Sequence, residues 1–330
     1  GFEQFRQSIQ GFDAAAFQFH EAVFLSSIQL NGGIIRDNLT LSSSNGICRM
    51  RDMNVRASTL PGFAQSAGVR RLTEVEKSQY ASDGYVKNLP VFSEDGVAEL
   101  QALYRDMAKR MPDDLDVNKV NNWHKASARV FDVCRTPAIL DYVEDVIGPD
   151  IMQWGCQLFV KHPGDGSVVP WHQDAQYWPL NPHRTVTVWL AVFDTDAENG
   201  AMRLVSGSHH EGNFRHETND AQNLVLDQEV PEPLIDYGRV VSMDMKAGEM
   251  SLHDDGLLHG SLPNTSDRMR VGLTMRFCPP EVKCDLDVWP IFETYVARGE
   301  DRLLLNPRGN APSGERHPIR RFQHSSEFAG

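Results

Sequence analysis

The sequence predicts a mostly β protein with flanking helices, an α+β fold in which helices precede a closed or two-sheet β core. Three observations favour this class. Apolar residues at helical spacing lie before Pro149, and from there to about residue 280 the chain consists of β-branched or alternating runs bounded by Gly, Asn, Asp and Pro. Several of these runs are apolar on both faces, as expected of strands in a sheet that helices cover.

Three helices are predicted just before the β region. Thr73 and Ser93 are expected N-caps, because each is followed by acidic residues suited to a first helical turn. The third helix is predicted over TPAILDYVEDVIG, where Gly148 would end it. A short helix is also expected within residues 1–70, between turns rich in Ser, Asn and Gly.

The predicted strands include TVTVWLAVFD, GRVVSMDM and MRVGLTMRF. We expect an N-terminal extension over residues 1–71 that packs on the core, and a main domain over 72–289. The polar tail over 290–330 is expected to form a C-terminal extension or flap.

The composition argues against several classes of function. A formal net charge of −13 disfavours sequence-independent binding to nucleic acid or to anionic membranes. The five cysteines have no CxxC spacing, so neither a disulfide framework nor a thiolate zinc site is expected. The apolar stretch near the start contains His20 and Glu21 and has no basic segment before it, which is unlike a signal peptide or a membrane span. We expect a cytoplasmic protein, monomeric or homodimeric, with a small-molecule ligand.

The stretch PWHQDAQYWPLN places a histidine and an aspartate two residues apart. In an extended strand these positions share a face, so His172 and Asp174 would converge there. A second cluster, SLHDDGLLHGSLPNTSDRMRVGLTMRF, offers His259 as a third group. Two imidazoles and one carboxylate on one face form the facial triad that suits non-heme Fe(II) and oxygen chemistry. Nearby aromatic residues would exclude water from such a site; they are Trp171, Tyr177, Trp178 and Trp189.

Other histidines compete for a metal-binding role. His253 lies six residues before His259 and would share its face in one extended strand, so it is an alternative third ligand. The adjacent pair His209 and His210 would face opposite ways on a strand, and we expect it to lie in a loop.

Four stretches together resemble the phytanoyl-CoA dioxygenase family: LTEVEKSQYASDGYV, QLFVKHPGDGSVVPWHQDAQYW, TVTVWLAVFDTDAENGAMRLVSGSH and LHGSLPNTSDRMRVGLTMRF. The resemblance covers about Leu72 to Pro280. It implies a double-stranded β-helix core, also called a jelly roll or cupin-like fold, with N-terminal helices. It also implies a dioxygenase dependent on Fe(II) and 2-oxoglutarate. Such an enzyme uses O2 to hydroxylate an unactivated C–H bond of a small molecule and releases succinate and CO2.

The resemblance also implies roles for individual residues. The implied iron ligands are His172, Asp174 and His259. Arg270, eleven residues after His259, matches the arginine that pairs with the distal carboxylate of 2-oxoglutarate. Ser261 matches a hydroxyl that shares this contact, and Trp189 an aromatic residue beside the cosubstrate. The remaining expected polar contacts in the pocket are Gln157 and Lys161.

Two further arginines would share a face with Arg270 on a regular strand, namely Arg268 and Arg276, and either is an alternative anchor. Because Asp174 is retained where halogenating relatives carry a small residue, hydroxylation is favoured over halogenation. Two other classes remain open, a cupin-type metal enzyme that does not use 2-oxoglutarate and a non-catalytic binding protein on the same fold.

Overall fold

The computed structural model describes residues 62–316, apart from residues 113, 114, 116, 220 and 222. Most of the predicted N-terminal extension, with its expected short helix, lies outside the described residues. The α-helices are α1 (Glu74–Asp83), α2 (Glu94–Lys109), α3 (Ala128–Val133) and α4 (Pro137–Ile147). Short 3-10 helices cover Val117–Lys119, Trp123–Lys125, Asp174–Gln176, Ser208–Glu211, Glu232–Leu234 and Tyr237–Arg239.

The first strands are β1 (Tyr85–Pro90), β2 (Ile151–Lys161), β3 (Val169–His172), β4 (Leu180–Asn181), β5 (Val186–Ala191) and β6 (Met202–Val205), followed by the pair β7 (Glu217–Thr218) and β8 (Gln228–Glu229). The chain continues through β9 (Val240–Ser242), β10 (Glu249–Asp254), β11 (His259–Ser261), β12 (Arg270–Cys278), β13 (Lys283–Cys284) and β14 (Tyr295–Arg298). The three predicted strands correspond to β5, β9 and β12.

The helix ends follow the predicted capping chemistry. The Thr73 side chain accepts a hydrogen bond from the backbone N–H of Glu76, whose carboxylate accepts one from the backbone of Thr73, so α1 begins with a complete capping box. Ser93 caps α2 through the backbone N–H of Gly96. Gly148 ends α4 with a φ of 95°, a conformation that favours glycine.

The strands form two main antiparallel sheets. The larger has the order β1-β10-β5-β12-β2-β14, and the smaller has the order β3-β11-β6-β9. Two small pairs, β13-β4 and β7-β8, complete the pattern. Strands that are distant in sequence therefore pair, as in a jelly roll. The predicted fold class, a double-stranded β-helix with helices before it, is confirmed.

Successive side chains along each strand point to opposite sides, so the larger sheet has two different faces. Along β12, Val271, Leu273 and Met275 belong to the main hydrophobic core, which also includes apolar residues of α2 and α4. The residues between them, such as Thr274, lie on the opposite face, which we call the inner face. This face carries unusually many polar side chains and adjoins the site described below.

The region after residue 289 contributes to the sheet. Strand β14 pairs with β2 through Tyr295 and Gln153, so part of the predicted C-terminal extension is an edge strand. In the part of the chain that the structure describes, no helix combines the length and apolar character needed to span a membrane.

Candidate metal and cosubstrate site

The structure brings three predicted metal ligands together. His172 ends β3, and His259 lies directly opposite it on the paired strand β11. Asp174 begins a 3-10 helix, and its Oδ1 lies 3.8 Å from Nε2 of His172 and 3.9 Å from Nε2 of His259. One ligand atom from each residue lies within 4.8 Å of the other two, and all three residues are buried.

Asp174 reaches this position through a turn, which differs from the extended strand that the sequence predicted. The strand ends at His172, and the next residues are held by contacts outside it. The side chain of Gln173 donates to the carbonyls of Gly212 and Gly256, and the N–H of Ala175 donates to the carbonyl of Asp255 at 2.8 Å. These tertiary hydrogen bonds turn the chain, an effect that strand periodicity cannot predict.

Both histidine rings are oriented by backbone carbonyls. Nδ1 of His172 lies 2.8 Å from the carbonyl of Pro170, and Nδ1 of His259 lies 2.9 Å from that of Leu257. Each ring therefore directs Nε2 towards Asp174. A hydrogen bond at Nδ1 that fixes the free Nε2 is the usual support of a metal-binding histidine.

The electrostatics also suit a divalent cation. Burial raises the pKa of Asp174, but contact with His172 and the charges of His259 and Arg276 outweigh it and hold the pKa below its ordinary value. Burial and the neighbouring His172 lower the pKa of His259 to about 3. At neutral pH the site therefore presents a carboxylate and a neutral imidazole at these two positions, the forms that bind metals.

His253 lies beside the three ligands. It occupies β10 in the larger sheet, whereas His259 lies in the smaller one, because the chain turns at Gly256 between them. Its Nε2 is 3.9 Å from Oδ2 of Asp174. Among the described residues, the group with metal-ligand spacing consists of His172, Asp174 and His259 and does not include His253.

Two buried side chains predicted to contact 2-oxoglutarate carry polar atoms that have no hydrogen-bond partner among the described residues. Arg270 begins β12 and is 3% exposed, and its buried Nε has no hydrogen-bond partner among the described residues. The hydroxyl of Ser261, two residues after His259, is likewise buried and unpaired. Burial lowers the pKa of Arg270 to about 10. A guanidinium and a hydroxyl of this kind fit the carboxylate of a bound diacid.

Trp189 lies beside this position because a glycine makes room for it. The guanidinium carbon of Arg270 is 5.8 Å from the centre of the Trp189 ring. A Cβ atom on Gly272 would approach Cζ2 of Trp189 to 2.1 Å, so the indole packs directly on the backbone of β12. Sequence analysis did not identify Gly272, although a glycine within an apolar strand is the usual signal of close approach.

The two further pocket residues have partners within the protein. Lys161 pairs with Arg270 across the sheet, and its Nζ donates to the carbonyls of Ser167 and Leu262. Burial and the charge of Arg270 lower the pKa of Lys161 to about 7. Gln157 donates from Nε2 to the carbonyl of Asn118 at 3.2 Å. Both side chains lie on the inner face, with Lys161 at the Arg270 end.

The alternative residues fall in distinct environments. Arg268 is exposed and pairs with Asp196 at 2.7 Å, as a surface ion pair. Arg276 is buried and lies on the same face of β12 as Arg270. His209 and His210 lie in a 3-10 helix with both Nε2 atoms near the carbonyl of Ala81.

The predicted aromatic residues lie in different environments, since Trp171 packs in a cluster with Val205 and Leu258, and Trp178 in one with Trp154 and Phe292. Trp171 and Trp178 are buried, and the half-buried ring of Tyr177 contacts the ring of His172 edge-on, with 6.0 Å between centroids. The Tyr177 ring therefore packs directly beside a predicted metal ligand.

Comparison with known proteins identifies the family of this chain. The sequence profile of the phytanoyl-CoA dioxygenase (PhyH) family matches residues 80–272. The peroxisomal phytanoyl-CoA dioxygenase of Mus musculus is 25% identical over 258 residues, 69% of this chain and 74% of that protein. A probable alpha-ketoglutarate-dependent hypophosphite dioxygenase of Stutzerimonas stutzeri is 25% identical over 253 residues, 71% of this chain and 86% of that protein.

Among solved structures, the non-heme monooxygenase ThoJ in its apo form superposes with a TM-score of 0.61 and 26% identity, covering 72% of this chain and 89% of that one. The profile match spans more than half of the chain and includes all three residues with metal-ligand spacing. The chain belongs to the phytanoyl-CoA dioxygenase family and is a dioxygenase dependent on Fe(II) and 2-oxoglutarate.

Proposed function

We propose that this enzyme hydroxylates an unactivated C–H bond of a small-molecule substrate. The reaction consumes one O2 and one 2-oxoglutarate for each substrate and yields the alcohol, succinate and CO2. The observation that carries the proposal is the combination of His172, Asp174 and His259 with the unpaired donors of Arg270 and Ser261. A cupin-type metal enzyme without 2-oxoglutarate, or a binding protein without catalysis, would have no need of a buried anchor for a diacid.

The residues that would hold the iron are His172, Asp174 and His259. When bound, Fe(II) and 2-oxoglutarate supply the O2-derived oxidant that attacks the C–H bond. The Nδ1 contacts of both histidines keep the rings in place while Nε2 binds the metal. Asp174 supplies the anionic ligand. Because the carboxylate of Asp174 would occupy the coordination position that chloride takes when a small residue stands there, hydroxylation is expected rather than halogenation.

Arg270 and Ser261 would bind the distal carboxylate of 2-oxoglutarate. A guanidinium stays protonated when buried and can donate two parallel hydrogen bonds to a carboxylate. Trp189 would form one wall of the cosubstrate site, and the aromatic residues near His172 would keep water out during turnover. The cytoplasmic location and the monomeric or dimeric state stay predictions.

The test is to purify the protein without oxygen and to add Fe(II) and 2-oxoglutarate. Chelation of the iron by the keto acid is expected to produce a visible charge-transfer band. The band should be lost in Asp174→Ala and should require much more 2-oxoglutarate in Arg270→Ala. Iron binding without any band would contradict the use of 2-oxoglutarate, and substrate-dependent desaturation without an alcohol would contradict hydroxylation.

A further inference from the structure

The inner face of the larger sheet has a second buried cation, Arg276, at the end of β12 away from Arg270. The two arginines are six residues apart on one face of the strand, which corresponds to roughly 20 Å between their Cα atoms on a regular strand. That separation exceeds the length of a short diacid whose distal carboxylate lies on Arg270. Arg276 therefore needs an explanation separate from the anchor.

Cross-strand register places Arg276 in line with the metal site. One row of neighbouring residues crosses the inner face of four strands: Gly155, Arg276, Thr187 and His253. His253 in turn lies 3.9 Å from Asp174. The charge of Arg276 also acts on the carboxyl of Asp174. A group held by Arg276 would consequently lie close to the predicted iron.

Among the described residues, the guanidinium of Arg276 forms no ion pair with a carboxylate. The residue is 3% exposed, and its buried Nε has no hydrogen-bond partner among the described residues. Its guanidinium carbon lies 5.7 Å from the ring centre of Trp154 and 5.1 Å from that of Trp178. Cation–π contacts compensate only part of the cost of burying a charge. The nearby carboxylate, Asp174, belongs to the set of predicted metal ligands.

A pocket gives a ligand access to this arginine. Arg276 lines the pocket together with apolar and polar residues, among them Trp154, Trp289, Phe292, Asn122 and Lys125. The acidic group in the same lining, Glu293, accepts from Lys125 at 3.1 Å and from Tyr295 at 3.0 Å, so its charge is already paired.

A glycine shapes the pocket beside the arginine. A Cβ atom on Gly155 would lie 3.0 Å from Cδ of Arg276, so glycine at this position lets the side chain cross the neighbouring strand. At the Arg270 end of β12, Gly272 likewise leaves room for the side chain of Trp189 on the neighbouring strand. In each case the absent side chain creates room for a ligand-facing group.

We propose that Arg276 binds an anionic group of the primary substrate, and that the enzyme acts on small organic acids with an apolar or aromatic body. The anionic group is a carboxylate or a phosphoryl group, because both accept paired hydrogen bonds from a guanidinium. The apolar part would contact Trp154, Trp289 and Phe292. This inference rests on the proposed function, since it assigns the substrate of the same site.

The test measures binding by calorimetry under argon, with the full chain loaded with Fe(II) and 2-oxoglutarate so that no turnover occurs. The probes are matched acids and amides: indole-3-acetate with indole-3-acetamide, cinnamate with cinnamamide, and hexanoate with hexanamide. Phenylphosphonate tests the phosphoryl alternative. At least one acid should bind about 10- to 100-fold more tightly than its amide, the range expected for hydrogen bonds to a charged group.

Three variants test whether Arg276 binds the substrate anion. Arg276→Gln should abolish the preference for the acid, Arg276→Lys should retain part of it, and the exposed Arg268→Gln should leave it unchanged. Equal binding of acids and amides to the unaltered protein would overturn the proposal. So would an Arg276→Gln protein that binds 2-oxoglutarate as weakly as Arg270→Gln does, because the arginine would then contact the cosubstrate. If the unaltered protein forms no complex with Fe(II) and 2-oxoglutarate, the proposed function itself fails, independently of the probes.

Discussion

Replacement of Arg270 by methionine is expected to change stability and cosubstrate binding in opposite directions. Burial lowers the pKa of Arg270 from 12.5 to about 10. Since a pKa change of one corresponds to about 1.4 kcal/mol, holding the charged guanidinium in the folded protein costs on the order of 3 kcal/mol. Methionine has a similar length and no charge. Loss of the contact with Trp189 offsets about 1 kcal/mol of the gain.

The free energy of unfolding of the 2-oxoglutarate-free protein should therefore rise by about 1–3 kcal/mol in Arg270→Met, which agrees with the behaviour of other buried charges replaced by apolar residues. The unaltered protein should instead gain about 3 kcal/mol from 2-oxoglutarate at one hundred times its Kd. The variant should lose this gain, because removal of one partner of a buried charge pair weakens binding by about 2–5 kcal/mol.

Denaturant unfolding under argon, with Fe(II) present and with or without 2-oxoglutarate, measures both effects. Arg268→Met is the matched control, since it removes a surface arginine whose ion pairs contribute about 0–1 kcal/mol. An Arg270→Met protein that is less stable than the unaltered one without the cosubstrate, and that still gains stability from it, would refute the reasoning.

Three further predictions test neighbouring parts of the site. In Gly272→Ala the new methyl group should displace the Trp189 indole, costing about 1–3 kcal/mol of stability and weakening 2-oxoglutarate binding in a titration of the charge-transfer band. Lys161→Met should shift the Kd for 2-oxoglutarate only a few-fold in the same titration, because the ammonium binds backbone carbonyls. Burial lowers the pKa of His253 to about 4. The metal-free protein should therefore lose stability as the pH falls from about 6.5 to 4, because in this range the unfolded chain binds a proton that the folded one does not. His253→Phe should reduce this loss in chemical denaturation measured across the same pH range, and an unchanged profile would contradict the prediction.

The predictable part of the fold is the part set by local chemistry. Thr73, Ser93 and Gly148 identify helix ends because caps satisfy backbone groups within a few residues. The alternation in MRVGLTMRF likewise identifies β12. The edge strand β14 was not predicted, since its residues lie in a polar, turn-rich region and become a strand only by pairing with β2. Pairing partners distant in sequence leave no local pattern.

The candidate site likewise has a part that local sequence predicts and a part that depends on tertiary contacts. The types and spacing of His172, Asp174 and His259 were sufficient to predict a metal site, but the turn that positions Asp174 depends on hydrogen bonds from Gln173 to Gly212 and Gly256. Lys161 was expected to contact the ligand, and the carbonyls that engage its ammonium come from segments that the sequence does not place nearby.

The two buried arginines of β12 show what the folded structure adds to the prediction made from the strand sequence. In sequence, Arg270 is the predicted anchor, and Arg276 is an alternative because both fall on one face of a regular strand. Register separates them: Arg270 lies across from Lys161, whereas Arg276 lies across from Gly155 and in the row that leads to His253. A chain with net charge −13 has ample carboxylates to pair with both, yet the buried Nε of each arginine has no hydrogen-bond partner among the described residues. Since an unpaired buried cation destabilises the folded state, two of them on one face of the sheet agree with the proposal that two anions arrive with the ligands. By this proposal one anion is the cosubstrate, and the other belongs to the molecule that is oxidised.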